Sequence, residues 1–361
     1  MGCGSSLVSA PFGKGKASPD PSLRYVSGDK IERRCSYSEC FEGTCKDTGT
    51  KVVLRNIPKA HGLFNRDVVL QELKELKDLN HKSCVRVLDV WEDDDAVHYA
   101  EEKSPSCADV LEFVAESSVH TDRQAALLLR SLLQGLAHIH AKGIVHRELL
   151  PKNILVIPGT DGADPSVAIL NIGLHSLKAE VDLRSLRSGK AAGRPPFHWS
   201  PELAQAALDR QELTFSDRSD IWAVGVLAFT LLGGFPPFFS ENATIMLQRI
   251  SGADLQFLPA AHWSALPAPA VAFVRALLQK DPGARPSAKE CLEMEWMQGL
   301  DDKASAGGAV ELPIKIELKD AIAKLKARRA LNVVQAVTRL GTEKKKKDGP
   351  DPFAVTEPAS A

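Results

Sequence analysis

The residues with the clearest chemical potential lie in two short stretches, IVHRELLPKNIL at 144–155 and ILNIGL at 169–174. The first offers a carboxylate, Glu148, able to accept a proton from a hydroxyl, and an amide oxygen, Asn153, able to ligate a hard cation. The second offers Asn171, another neutral amide. The spacing suits a phosphoryl-transfer loop, where a carboxylate base and a metal-bridging carboxylate flank the transferring group. Neither stretch supplies a second carboxylate, and an amide oxygen gives a hard cation such as Mg²⁺ no charge. A transfer-loop frame therefore carries residues ill-suited to transfer.

A second kind of chemistry is written at the N-terminus. MGCGSS places Gly2 behind a removable Met1, Ser6 at the favoured position of an N-myristoylation motif, and Cys3 as a thioester acceptor. One myristoyl chain anchors only reversibly, so Cys3, with Lys14 and Lys16 nearby, supplies the second signal that stable attachment requires. The sequence therefore predicts a cytoplasmic protein held at a membrane surface by lipid.

Composition sets the frame for both. The chain has 361 residues, 44% of them hydrophobic, enough for a large buried core. Lys+Arg 45 against Asp+Glu 46 gives a net charge of -1, and nothing in the whole-molecule charge asks for nucleic acid. The cysteines number 7 with no C-x-x-C pair, which argues against both a disulfide framework and a zinc site. IWAVGVLAFTLLGGFPPFF at 221–239 is uncharged, but Gly233-Gly234 and Pro236-Pro237 predict a helix end after Leu232, leaving a buried helix of about twelve residues rather than a membrane span.

The elements that must position these residues follow from hydrophobic period. Residues 1–24 are rich in Gly, Ser, Pro and Lys and predict a disordered tether. KVVLRNI predicts a strand, and RDVVLQELKELKDLNH, with Val69, Leu73, Leu76 and Leu79 at helical spacing, predicts a helix packed on a small sheet. Beyond a connector at 103–107 the pattern turns helical in RQAALLLRSLLQGLAHIHAKG, SDIWAVGVLAFTLL and VAFVRALLQKDP. A linker at 300–318, a basic amphipathic helix at 319–341 and a disordered tail at 342–361 complete the chain.

In order and spacing, the motifs from Tyr25 to Met297 resemble the eukaryotic protein kinase superfamily, and the C-terminal helix resembles that of its calcium/calmodulin-dependent group. They are VVLR (52–55), QELKELKDLNH (71–81), HRELLPKN (146–153), NIG (171–173), SPEL (200–203), SDIWAVG (219–225) and DPGARPSAKECLEMEWM (281–297). The resemblance implies an α+β, bilobal kinase fold over residues 25–299, with a small β-rich N-lobe (25–102) bearing helix αC and a larger helical C-lobe (108–299). It also makes Glu202, Asp220, Trp222, Gly225 and Arg285 fold-holding residues, with Arg285 paired to Glu202.

The resemblance assigns the chemistry to positions that are altered here. RRCSYSEC puts Arg33, Cys35 and Ser38 where glycines let backbone N–H groups approach a triphosphate. Val53 stands where a small residue leaves room over adenine, and Glu101 and Glu102 fall at further pocket positions. Arg55 replaces the phosphate-binding Lys, and its planar fork could still pair with Glu72. Glu148 replaces the Asp that takes the substrate's proton, a displacement of about an ångström worth on the order of 10²-fold in rate. Leu150 replaces the Lys that neutralises the phosphoryl group, and Arg194 a Thr that steadies the base.

These substitutions act on one transition state, so their costs do not multiply. They imply a pseudokinase with little or no transfer, expected to need no cofactor, serving as a regulatory or scaffolding module. The alternative is an active ATP- and Mg²⁺-dependent serine/threonine kinase with non-standard catalytic residues. In the C-terminal helix, Leu331, Val334, Val337 and Leu340 share a face flanked by Arg328, Arg329 and Arg339. That pattern suits calmodulin or a related calcium sensor, a helix packed on the larger lobe, or one lying on anionic membrane beside the KKKK run.

Overall fold

The computed structural model describes residues 21–31, 37–105, 108–117, 120–160, 163–174, 176–177, 197–240, 242–301 and 309–312. The lipidation residues Gly2 and Cys3, the loop residues Arg33 and Cys35, Arg194 and the helix residues Arg328, Arg329, Leu331, Val334, Val337 and Leu340 lie outside them.

The N-lobe is a five-stranded antiparallel sheet in the order β1-β2-β3-β5-β4, from β1 (Tyr25–Ile31), β2 (Glu39–Cys45), β3 (Lys51–Pro58), β4 (Val87–Glu92) and β5 (Ala96–Glu102). A short helix, α1 (Pro21–Arg24), precedes β1, so the expected tether gives way to structure by residue 21. β3 is central and buried on both faces. Its outer face packs Val52 and Leu54 with Tyr25, Cys45 and Ala100, under Phe41, Leu88 and Trp91. Because side chains alternate along a strand, Val53, Arg55 and Ile57 point the other way, inward. Helix α2 (Arg66–Lys77) is capped by the Asn65 side chain, which accepts from Val68 N, and buries Val69, Leu73 and Leu76 as their spacing predicts.

The C-lobe is built on α3 (Val110–Glu116), α4 (Asp122–His140), the hairpin β6 (Ile154–Ile157) with β7 (Ser166–Ile169), α5 (Pro201–Leu208), α6 (Asp217–Gly233), α7 (Ala243–Gly252), α8 (Ala260–Ala265), α9 (Ala268–Leu277), α10 (Ala288–Leu292) and α11 (Glu295–Gln298). Thr121 and Gln124 form a capping box that starts α4. α6 is the lobe's buried axis, every residue from Ser219 to Leu232 being inside, and it ends where Gly234 takes φ 85. At 17 residues it begins earlier and ends one residue later than expected, because Ser216 and Ser219 cap its start. A Cβ on Gly225 would lie 2.8 Å from Leu278 Cδ2 and 2.9 Å from Leu277 Cβ, so the absent side chain is what lets α9 approach α6. Among the described residues no helix is long and apolar enough to cross a membrane.

Two contacts shape the frame around the site. Ser83 O accepts from Ile169 N at 2.8 Å and Ile169 O accepts from Val85 N at 3.1 Å, which ties the segment after α2 to β7. Residues 309–312 depart from the expected linker. Asp122 N donates to Val310 O, Val310 N donates to Asp122 Oδ1 at 2.7 Å, and Leu312, 3% exposed, donates its N–H to His120 O.

Candidate functional site

The loop at 144–153 is held from below by Asp220, on α6 and 2% exposed. Its Oδ2 accepts from His146 N at 2.7 Å and from His140 Nε2 at 2.9 Å, and its Oδ1 accepts from Arg147 N at 3.0 Å. Burial alone would raise the Asp220 carboxyl, but the bonds from His140 and His146 outweigh it and keep the group below the usual carboxylate range. Arg147 takes φ 66, a left-handed conformation uncommon outside Gly and Asn, which those two N–H bonds hold in place. His146 Nε2 lies 2.8 Å from Leu170 O, joining the loop to the turn that carries Asn171.

The site's chemistry sits on top of this mount. Glu148 forms an ion pair with Lys152 four residues on, Nζ to Oε1 at 2.9 Å, both side chains about one-third exposed. Asn153 Nδ2 donates to Glu148 O at 2.8 Å, which fixes its amide. Asn171, at φ 57, donates from Nδ2 to Asn153 Oδ1 at 2.7 Å. The two amides expected to share a cation therefore bond to each other, and an N–H donor points where a ligand oxygen is needed. Two neutral oxygens, one already engaged, do not fit Mg²⁺. Nor is there any cluster of three metal-capable side chains among the described residues.

On the N-lobe side of the site, β3 and β5 face each other. Arg55 bonds Glu101, from Nε at 3.1 Å and Nη2 at 2.9 Å to Oε1, while Glu72 accepts from Ser176 N at 3.4 Å and Oγ at 3.0 Å. Arg55 of β3 thus bonds Glu101 of β5, a partner the sequence reading did not name. The reason is register: Val53 is directly opposite Glu101, so Val53, Arg55 and Glu101 share the inward face. Glu102 falls on the other face. Opposite Val52 on the outer-facing period, its side chain pairs with Arg86 at 2.8 Å.

The fold-holding set forms one unit in the C-lobe. Arg285, its side chain 0% exposed, bonds Glu202 in bidentate fashion, Nη1 to Oε1 at 2.9 Å and Nη2 to Oε2 at 2.7 Å, and its guanidinium lies 5.1 Å from the Trp222 ring. Trp222 stacks on Phe238 at 5.5 Å on its own account. Burial tends to raise the Glu202 carboxyl, and the Arg285 bonds overcome it and lower it.

Sequence reasoning missed Lys152, Ser176 and His198. Lys152 carried a usable signal, since a cation four residues after a carboxylate is in reach of it. His198 is fully enclosed beside Glu148, Lys152, His146 and Asp220, and burial drives its imidazole down to about 4. Nothing in its local sequence announces that enclosure.

The bilobal architecture, the α6-mounted loop and the Glu202–Arg285 clamp define the protein kinase fold, and the protein kinase domain family matches residues 34–297. The chain belongs to that family. It is 28% identical over 292 residues to a "Probable myosin light chain kinase" of Dictyostelium discoideum, covering 80% of this chain and 78% of the relative. It is 27% identical over 330 residues to calcium/calmodulin-dependent protein kinase cmkA of Emericella nidulans, covering 90% and 73%. Calcium/calmodulin-dependent protein kinase type 1B of Rattus norvegicus is 27% identical over 264 residues, covering 73% and 72%.

Proposed function

We propose that this kinase-family chain is a catalytically impaired regulatory or scaffolding module, tethered to a membrane by its acylated N-terminus and acting in calcium-linked signalling. The observation that carries the impairment is the Asn171–Asn153 bond, which puts an N–H donor and no carboxylate at the metal position. The Glu148–Lys152 pair supports it, because the carboxylate at the proton-acceptor position is engaged by an ammonium rather than left open to a substrate hydroxyl. Substrate phosphorylation therefore gives way to binding as the useful activity of the fold.

The tether rests on MGCGSS, whose Gly2 and Cys3 supply the two acyl sites that stable anchoring needs. Calmodulin or a related calcium sensor is the proposed partner of residues 319–341, supported by the calmodulin-dependent names of the relatives and the basic amphipathic pattern. A phosphorylation assay on mixed peptides with Mg²⁺ or Mn²⁺ tests the reading. No turnover above background is expected, and turnover that disappears in Glu148→Ala would overturn it.

A further inference from the structure

We infer that the Arg55–Glu101 ion pair is a built-in plug of the nucleotide cleft, occupying with the chain's own charges the place where a nucleotide's base and phosphates would meet β3. The inference rests on the reading above, that the chain works without phosphoryl transfer, and names how its cleft is closed.

Three observations carry it. Arg55 and Glu101 lie on the inward face of the sheet, since Arg55 is two residues from Val53 and Val53 is opposite Glu101. The outer face is already filled by Val52, Leu54 and Ala100. Both partners are sealed, with side-chain exposures of 0% and 6%, so neither charge is presented to an incoming ligand. The guanidinium spends Nε and Nη2 on a single carboxylate oxygen, a charge-assisted pair of bonds in a dry setting.

The consequence for a nucleotide is specific. A phosphate reaching the Nε and Nη2 donors of Arg55 would have to displace Glu101, and the displaced carboxylate would then stand beside the polyanion. Leaving the pair intact instead puts a carboxylate in the way of the base, opposite Val53, whose own side chain is fully buried. Either route opposes an anionic ligand, by breaking a buried pair or by placing like charges together. Removing the acid alone should convert the plug into a receptor, because Arg55 would then keep its charge without the Glu101 carboxylate bound to it. Binding in that opened cleft should not depend on Mg²⁺, given the clasped amides of Asn153 and Asn171.

The test uses the full-length chain and a fluorescent N-methylanthraniloyl-ATP titration, with and without Mg²⁺, each variant's folding being checked by its melting transition. Wild type should show no binding into the millimolar range. Glu101→Met should bind at least about tenfold tighter than that limit, with or without Mg²⁺, and unlabelled ATP should compete. Glu101→Gln keeps the size and one hydrogen bond, giving a second opened form should the first fail to melt cooperatively. Arg55→Glu combined with Glu101→Arg rebuilds the pair and should be silent again. Binding by wild type would overturn the plug, whereas the reading it rests on falls only to Glu148-dependent turnover in the phosphorylation assay. A silent wild type with folded but equally silent Glu101→Met and Glu101→Gln would overturn the plug alone, and so would binding by the charge-swapped protein.

Discussion

Asn171 donates its amide N–H to the side-chain oxygen of Asn153 at 2.7 Å, joining directly two residues that a phosphoryl-transfer site would join through a metal ion. The bond lets the turn keep its shape without a cation, with Asn153 anchored on Glu148 O and His146 on Leu170 O. Asn171→Asp removes the donor and places a carboxylate against the Asn153 oxygen. The variant should lose about 1–3 kcal/mol in metal-free buffer and recover part of it as Mg²⁺ is added, whereas wild-type stability should not respond. Thermal melts across a Mg²⁺ series read both effects, and a wild-type response as large as the variant's would contradict the argument.

The Glu202–Arg285 clamp should dominate C-lobe stability. Arg285→Ala strands a half-buried carboxylate, leaves the Arg218 and Lys280 carbonyls without their donor, and removes the cation over Trp222. A loss of about 3–5 kcal/mol is expected in urea unfolding. Arg285→Lys should restore little of it, because an ammonium cannot reproduce the fork. A cost near that of an exposed ion pair, under about 1 kcal/mol, would show that the clamp is not structural.

What was legible in the sequence depended on whether the signal was local. Val69, Leu73 and Leu76 are buried at the spacing their period predicts, and Gly234 stops α6 within a residue of the expected place. The bilobal fold was legible because its motifs are continuous words such as SDIWAVG. Pairings across the sheet were not. The sequence reading offered Arg55 only Glu72, and the bond to Glu101 follows from the register of β3 on β5. The same register sends Glu102 outward to Arg86. The strap at 309–312 was equally hidden, since its partners are backbone groups at His120 and Asp122.

His198 makes the stability of the fold depend on pH. Its imidazole, enclosed with Glu148, Lys152, His146 and Asp220 around it, stays neutral in the fold down to about 4, against an ordinary value of 6.5. Between those values the unfolded chain binds the extra proton, so stability is full above about pH 6.5 and declines as pH falls toward 4. The Asp220 carboxyl, lowered by its bonds from His140 and His146, stays charged across this window. Urea midpoints at pH 7.5 and pH 4.5 should differ more in wild type than in His198→Phe, by on the order of 2–3 kcal/mol. Equal differences in the two proteins would remove His198 as the cause.

Membrane attachment is the prediction in which two parts of the chain compete. The chain is near neutral at -1, and no described helix can span a bilayer, so without acyl chains only the basic segment at 319–347 could draw it to anionic lipid. Gly2→Ala should release most of the protein to the soluble fraction of cells. Cys3→Ser should weaken retention without abolishing it, because a lone myristoyl chain binds reversibly, at roughly 10⁴ M⁻¹. Deleting residues 319–347 should leave most of the protein on membranes. The opposite pattern, with Gly2→Ala retained and the deletion released, would make the basic helix the anchor, and would also count against calmodulin as its partner, since the face that binds lipid is the face calmodulin would have to cover.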